Sequence, residues 1–89
     1  MLKTNFSRQA EKFQERLPPK HRRQIATKII ELSNNPQPPD SIQLKGHPYR
    51  RADVGEYRIV YLALPAILEI RLIGKRNDSV IYKQLQRLR

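Results

Sequence analysis

The sequence predicts an α+β domain in which three helices pack on one face of an antiparallel-looking run of strands. Three observations carry this reading. Residues Phe6, Ala10, Phe13 and Leu17, and then Ile25, Ile29 and Leu32, recur at helical spacing in two segments parted by Pro18-Pro19. Beyond the proline-rich connector Asn34-Asn35-Pro36-Gln37-Pro38-Pro39-Asp40 the period changes to that of strands. The end turns helical again, with Ile81, Leu85 and Leu88 as an apolar stripe.

Taken in order, Leu2-Lys3-Thr4-Asn5-Phe6 is a short strand, and Ser7 is a good N-cap for a helix running to about Leu17. Pro18-Pro19 ends that helix, and a second runs from Pro19 or Lys20 to Leu32 or Ser33. The pair forms a helical hairpin with an apolar face and a basic outer face carrying Lys20, Arg22, Arg23 and Lys28. Strands follow at Ile42–Leu44, Tyr49–Asp53, Tyr57–Leu62 and Ile67–Ile73, with a turn at Leu64-Pro65-Ala66. Asn77 or Asp78 caps the terminal helix, whose polar side holds Lys83, Arg87 and Arg89. The whole chain, residues 1–89, reads as one domain.

The stretch from Arg51 to Tyr61 reads as a hairpin around Gly55. With Val54-Gly55 as the loop, Asp53 faces Glu56 and Arg51 faces Arg58. Like charges directly opposite repel, so the two arginines need solvent, a carboxylate or an anionic ligand between them. Arg58 shares its side with Val60 and Leu62, expected to form core with Leu68, Ile70 and Leu72. An arginine in such a line belongs at the end of a sheet, facing a cleft, or in a bridge to Glu56, Asp53 or Asp78.

Charge narrows the function. Lysine and arginine number 18 against 8 aspartates and glutamates, for a formal net charge of +10 in 89 residues. That favours a polyanionic partner such as nucleic acid, a ribonucleoprotein surface or an acidic protein. The chain has no cysteine, which removes disulfides, thiolate metal sites and cysteine nucleophiles. No apolar run approaches a membrane span and the N-terminus lacks a signal-peptide core, so a cytoplasmic location is expected.

Standard catalytic sets are missing. His21 and His47 lack metal-ligand spacing, the acids are scattered, the glycines are too far apart for a phosphate loop, and no serine sits in a nucleophile elbow. Neither a metal nor a cofactor is expected. What remains is cationic and aromatic: Lys45, Arg50, Arg51, Arg58, Arg71, Lys75 and Arg76, with Tyr49, Tyr57, Tyr61 and Tyr82. Arginines bind phosphates bidentately and tyrosines stack on unpaired bases, so such a set suits single-stranded RNA. RNA also carries its own nucleophile. If a 2′-hydroxyl attacks the adjacent phosphate, the protein need only orient the strand, stabilise the added charge and move protons.

Leu44-Lys45-Gly46, Val54-Gly55-Glu56-Tyr57-Arg58-Ile59-Val60-Tyr61, and Ile73-Gly74-Lys75-Arg76-Asn77-Asp78 followed by Val80-Ile81-Tyr82 resemble, in order and spacing, the RelE branch of the RelE/ParE toxins of bacterial toxin–antitoxin pairs. The resemblance implies a small, mostly antiparallel sheet with an N-terminal helical hairpin packed on it and a short C-terminal helix. It implies a metal-independent endoribonuclease, cleaving mRNA in the ribosomal A site by 2′-hydroxyl attack, and a cognate antitoxin that neutralises it. Position by position, it places the phosphate stabiliser on Arg58, a stabiliser or proton donor for the leaving oxygen on Arg76, and the RNA-orienting tyrosine on Tyr82. Two basic positions of the preceding strand fall on Tyr49 and Arg51, neither of them lysine, which leaves the general base open among Tyr49, His47 and Glu56. The expected catalytic set is therefore Arg51, Arg58, Arg76 and Tyr82, with RNA contacts from Lys45, Tyr49, Arg50, Lys75 and Lys83. Two other readings share the same residues: a ParE-like inhibitor of DNA gyrase, and a non-catalytic RNA- or ribosome-binding module.

Overall fold

The computed structural model describes residues 1–77 and 80–87. Its elements are β1 (Lys3–Phe6), α1 (Arg8–Glu15), α2 (Pro19–Asn34), β2 (Ser41–Gln43), β3 (Arg50–Val54), β4 (Tyr57–Ala63), β5 (Ile67–Lys75) and α3 (Val80–Gln86). The five strands form one sheet in the order β1-β5-β4-β3-β2, antiparallel except where β1 runs parallel to β5. The expectations placed on Asp78, Leu88, Arg89 and the side chain of Ile81 lie outside the described residues.

Local chemistry sets the helix ends. The Ser7 hydroxyl accepts from the Ala10 N–H and donates to the Arg71 carbonyl at 2.6 Å, so one side chain both starts α1 and ties it to β5. Gln9 extends that tie. Its side-chain amide donates to the Ile73 carbonyl at 2.8 Å and accepts from the Ile73 N–H at 2.9 Å, filling the strand edge that the short β1 leaves open. Pro19 opens α2, and Arg22 reaches back to donate to the carbonyls of Gln14 and Leu17 at 3.2 and 3.0 Å, closing the end of α1.

The apolar stripes of α1 and α2 meet one face of the sheet. Ala10, Ile25, Ile29 and Leu32 pack with Ala52, Tyr57, Ile59, Tyr61, Leu68, Ile70 and Ile73 in the main core. Lys28 belongs to this stripe and not to the basic outer surface expected of it: only 8 % of it is exposed. Burial works against its charge, but Asp40 at 2.7 Å and Glu31 at 3.6 Å more than offset that, so its pKa stands above the ordinary value. The pair thereby fastens α2 to the proline-rich connector.

Three strand-level expectations change. The hairpin turns at Gly55-Glu56, one residue later than Val54-Gly55, so Asp53 faces Arg58 and Arg51 faces Val60. Gly55 takes a positive φ of 56° and Glu56 does not, the pattern of a two-residue turn with glycine in its first central position. The β4–β5 register shifts between Val60 and Tyr61, where Arg71 is the extra residue. That bulge sends Leu72 to the opposite face from Leu68 and Ile70. There it joins Tyr49, Val60 and Leu85 in a second, smaller cluster. Hence α3 covers the face opposite to α1 and α2, and the helices do not share one side as expected.

Candidate functional site

Because Ala52, Ile59 and Tyr61 point toward the helical hairpin, the alternating residues Arg51, Asp53, Arg58 and Val60 point the other way, beside α3. Leu85 is buried against this face, which brings Tyr82, one turn earlier, to its rim. The Tyr82 ring packs partly on the small apolar cluster. Its hydroxyl accepts a close hydrogen bond from Nη1 of Arg58 and a longer one, 3.4 Å, from Nη1 of Arg51. The Arg58 guanidinium carbon stands 5.6 Å from the ring centroid.

Asp53 completes the group. Arg58 donates to its carboxylate through two nitrogens, Nε at 2.7 Å and Nη2 at 3.1 Å. The hydrogen bond from Arg58 holds the Asp53 carboxyl below the usual carboxylate range against the opposing effect of partial burial, and the charges of Arg51 and Arg76 add to it. The same pairing raises the pKa of Arg58. The bridge to Asp53, one alternative that the sequence leaves open for Arg58, therefore exists; the other two arginines make the cluster net positive around it.

Arg76 follows the end of β5, and its backbone N–H donates to the Glu56 carbonyl at 2.9 Å. Its side chain is exposed, with Nη1 donating to the Gly55 carbonyl at 3.4 Å. Gly55, Glu56, Lys75, Arg76 and Asn77 line a recess of about 380 Å³ at this tip of the sheet. The structure thus gathers Arg51, Arg58 and Tyr82 directly, with Arg76 near enough to act on Asp53.

Of the remaining expected RNA contacts, Lys45, Lys75 and Lys83 are exposed. Arg50 is not part of this face. It points to the hairpin side and donates to the Ser41 hydroxyl at 2.7 Å and to the Ser41 carbonyl at 3.3 Å. Tyr49 is buried, 7 % exposed, in the cluster beneath α3, and so presents core here and not a surface for stacking. Tyr57 and Tyr61 are core on the hairpin side, their hydroxyls engaged with Nδ1 of His21 at 2.5 Å and the Pro36 carbonyl at 2.6 Å. Among the four tyrosines only Tyr82 offers itself to a ligand. Asp53 is the member of this cluster that the sequence offers only as one of three possible partners of Arg58. The turn chemistry carried the missing signal, since a glycine-first turn at Gly55 already sets Asp53 opposite Arg58.

No protein-family model matches the sequence, and no curated protein does. Solved structures do match. The RelE–RelB complex of the archaeon Pyrococcus horikoshii aligns with a TM-score of 0.75 at 25% identity, over 85% of this chain and 96% of that one. The RelB–RelE antitoxin–toxin complex of Methanococcus jannaschii gives 0.67 at 26% identity, over 94% and 98%. A doubly substituted E. coli toxin RelE in the free state gives 0.82 at 22% identity, over 99% and 98%.

Proposed function

From its place in the RelE-type toxin superfamily, which the shared fold shows, we propose that the protein is the toxin of a type II toxin–antitoxin pair and an endoribonuclease that cleaves mRNA at the ribosomal A site. The observation that supports this most is the convergence of Arg51 and Arg58 on the Tyr82 hydroxyl, with Arg76 at the same end of the sheet. A preorganised cluster of guanidinium groups stabilises charge that develops on a phosphate, and its donors need no reorganisation when the charge appears.

The proposed reaction follows from that placement. The 2′-oxygen bonds to the adjacent phosphorus while the bond from phosphorus to the 5′-oxygen breaks, leaving a 2′,3′-cyclic phosphate. Arg58 and Arg51 stabilise the non-bridging oxygens, and Arg76, the exposed cation at the rim, stabilises the departing 5′-oxygen. Tyr82 orients the strand through its ring face or hydroxyl. Arginine is a poor acceptor near neutral pH, so the 2′-hydroxyl proton passes to water, and the departing 5′-oxygen takes up a proton from water to leave as a 5′-hydroxyl. A cognate antitoxin would silence the protein by covering this basic surface with an acidic or amphipathic segment.

Inducing the wild type, Arg58→Ala and Arg76→Ala in growing cells, with cleavage sites mapped along transcripts, tests the reading. Growth arrest with codon-phased cleavage in the wild type, and neither in the folded variants, is expected. DNA damage with intact transcripts would instead identify a gyrase inhibitor, and full toxicity in both variants would remove the site assignment.

A further inference from the structure

We propose that Asp53 is a positioning residue of this site: its carboxylate grips one edge of the Arg58 guanidinium and so presents the remaining hydrogens of Nη1 and Nη2 to the substrate phosphate. This rests on the nuclease reading and deepens it.

The geometry assigns the donors. Asp53 takes Nε–H and one hydrogen of Nη2, at 2.7 and 3.1 Å, and Tyr82 takes one hydrogen of Nη1. One hydrogen on each terminal nitrogen is left over, available to an anion. Arg58 rises from a strand face between Asp53 across the ladder and the rim of α3, its side chain 12 % exposed and that of Asp53 36 %. A free arginine side chain loses rotamer freedom when fixed in place. A carboxylate that fixes it beforehand lowers what RNA binding and the transition state must supply.

The carboxylate also opposes function. It places a negative charge among Arg51, Arg58 and Arg76, where each cation would otherwise attract the RNA backbone undiminished. Positioning and repulsion thus act on different kinetic constants. Asp53 raises kcat by holding Arg58 and raises KM by repelling phosphate. A residue with a purely structural role would move both constants toward a poorer enzyme when replaced.

Asp53→Asn separates these effects. The amide keeps the shape, loses the charge, and turns an NH₂ group against the donors of Arg58. Cleavage of mRNA in purified translating ribosome complexes should show kcat lower by about tenfold and KM lower by about two- to threefold. Asp53→Glu keeps the charge on a longer arm, and should lower kcat without lowering KM. Thermal melts of both variants check that they fold. An unchanged kcat in Asp53→Asn, with an active wild type, would make Asp53 a mere counter-ion and overturn the proposal. A parallel loss in kcat and affinity together with a lowered melting temperature would overturn it in favour of a structural role. A wild type that leaves ribosome-bound mRNA intact would remove the nuclease reading itself, and this role with it.

Discussion

The two faces of the sheet are built from the same strands to opposite ends. Toward α1 and α2, the strands contribute Ala52, Ile59, Tyr61, Leu68, Ile70 and Ile73, all fully buried, and the tyrosine hydroxyls there have internal partners. Toward α3, among the described residues, only Tyr49, Val60, Leu72 and Leu85 are buried, and beside them stand Arg51, Asp53 and Arg58. The difference teaches that strand alternation lets one ribbon serve as core on one side and as a charged site on the other. Short α3 covers just enough of the second face to bring Tyr82 to the arginines, and leaves the rest accessible.

Breaking the first face should cost stability above all. Ile25→Ala, at a fully buried position of α2, should destabilise the fold by about 2–5 kcal/mol, read as a lower urea midpoint with an unchanged slope. Breaking the second face should do the reverse. Arg58→Ala should reduce cleavage by about 10²–10³-fold, while its urea midpoint stays near that of the wild type, because the abandoned Asp53 is exposed enough to hydrate. A collapse of the midpoint in that variant would erase the distinction between the faces.

A smaller effect lies at the seam. Gln9→Ala frees the N–H and carbonyl of Ile73 at the point where β5 runs on toward Arg76, and should cost about 1 kcal/mol. Hydrogen exchange should show faster opening from Ile73 to Lys75 than in the middle of β4. Equal protection in the variant and the wild type would dismiss Gln9 as an edge seal.

The smallest effect is the pH dependence. Arg58 lowers the Asp53 pKa in the folded state, so the stability that this pair supplies is present above the ordinary carboxylate value of about 4 and is lost as pH falls through the folded value. Asp53 is about one-third exposed, which holds the contribution to at most about 1 kcal/mol. Between pH 7 and pH 3 the melting temperature should therefore fall slightly more in the wild type than in Asp53→Asn. A steeper fall in the variant would contradict the direction of this linkage.

Much of this was legible in the residues. The helical stripes of α1 and α2 named Ala10, Ile25, Ile29 and Leu32, all of them core, and Ser7 is the N-cap expected. The strands fell within a residue or two of their places. Lys28 was not legible, because its partner Asp40 lies across the connector and only packing reveals that a lysine in an apolar stripe has a carboxylate waiting. Neither was the burial of Tyr49, Tyr57 and Tyr61: a tyrosine has an apolar body and a polar tip, and composition does not say which of the two is presented.

The sequence by itself determined the kinds of element, their order, and the surplus of cations spread along the chain. It also contained, in Gly55, the turn that sets the hairpin register. Tertiary structure alone decided which residues share a face. A strand repeats every two residues, so the one-residue bulge at Arg71 turns Leu72 to the opposite side from Ile70, and nothing in the local pattern announces it. That inversion gives α3 an apolar seat opposite the helical hairpin, and the seat carries Tyr82 to Arg51 and Arg58.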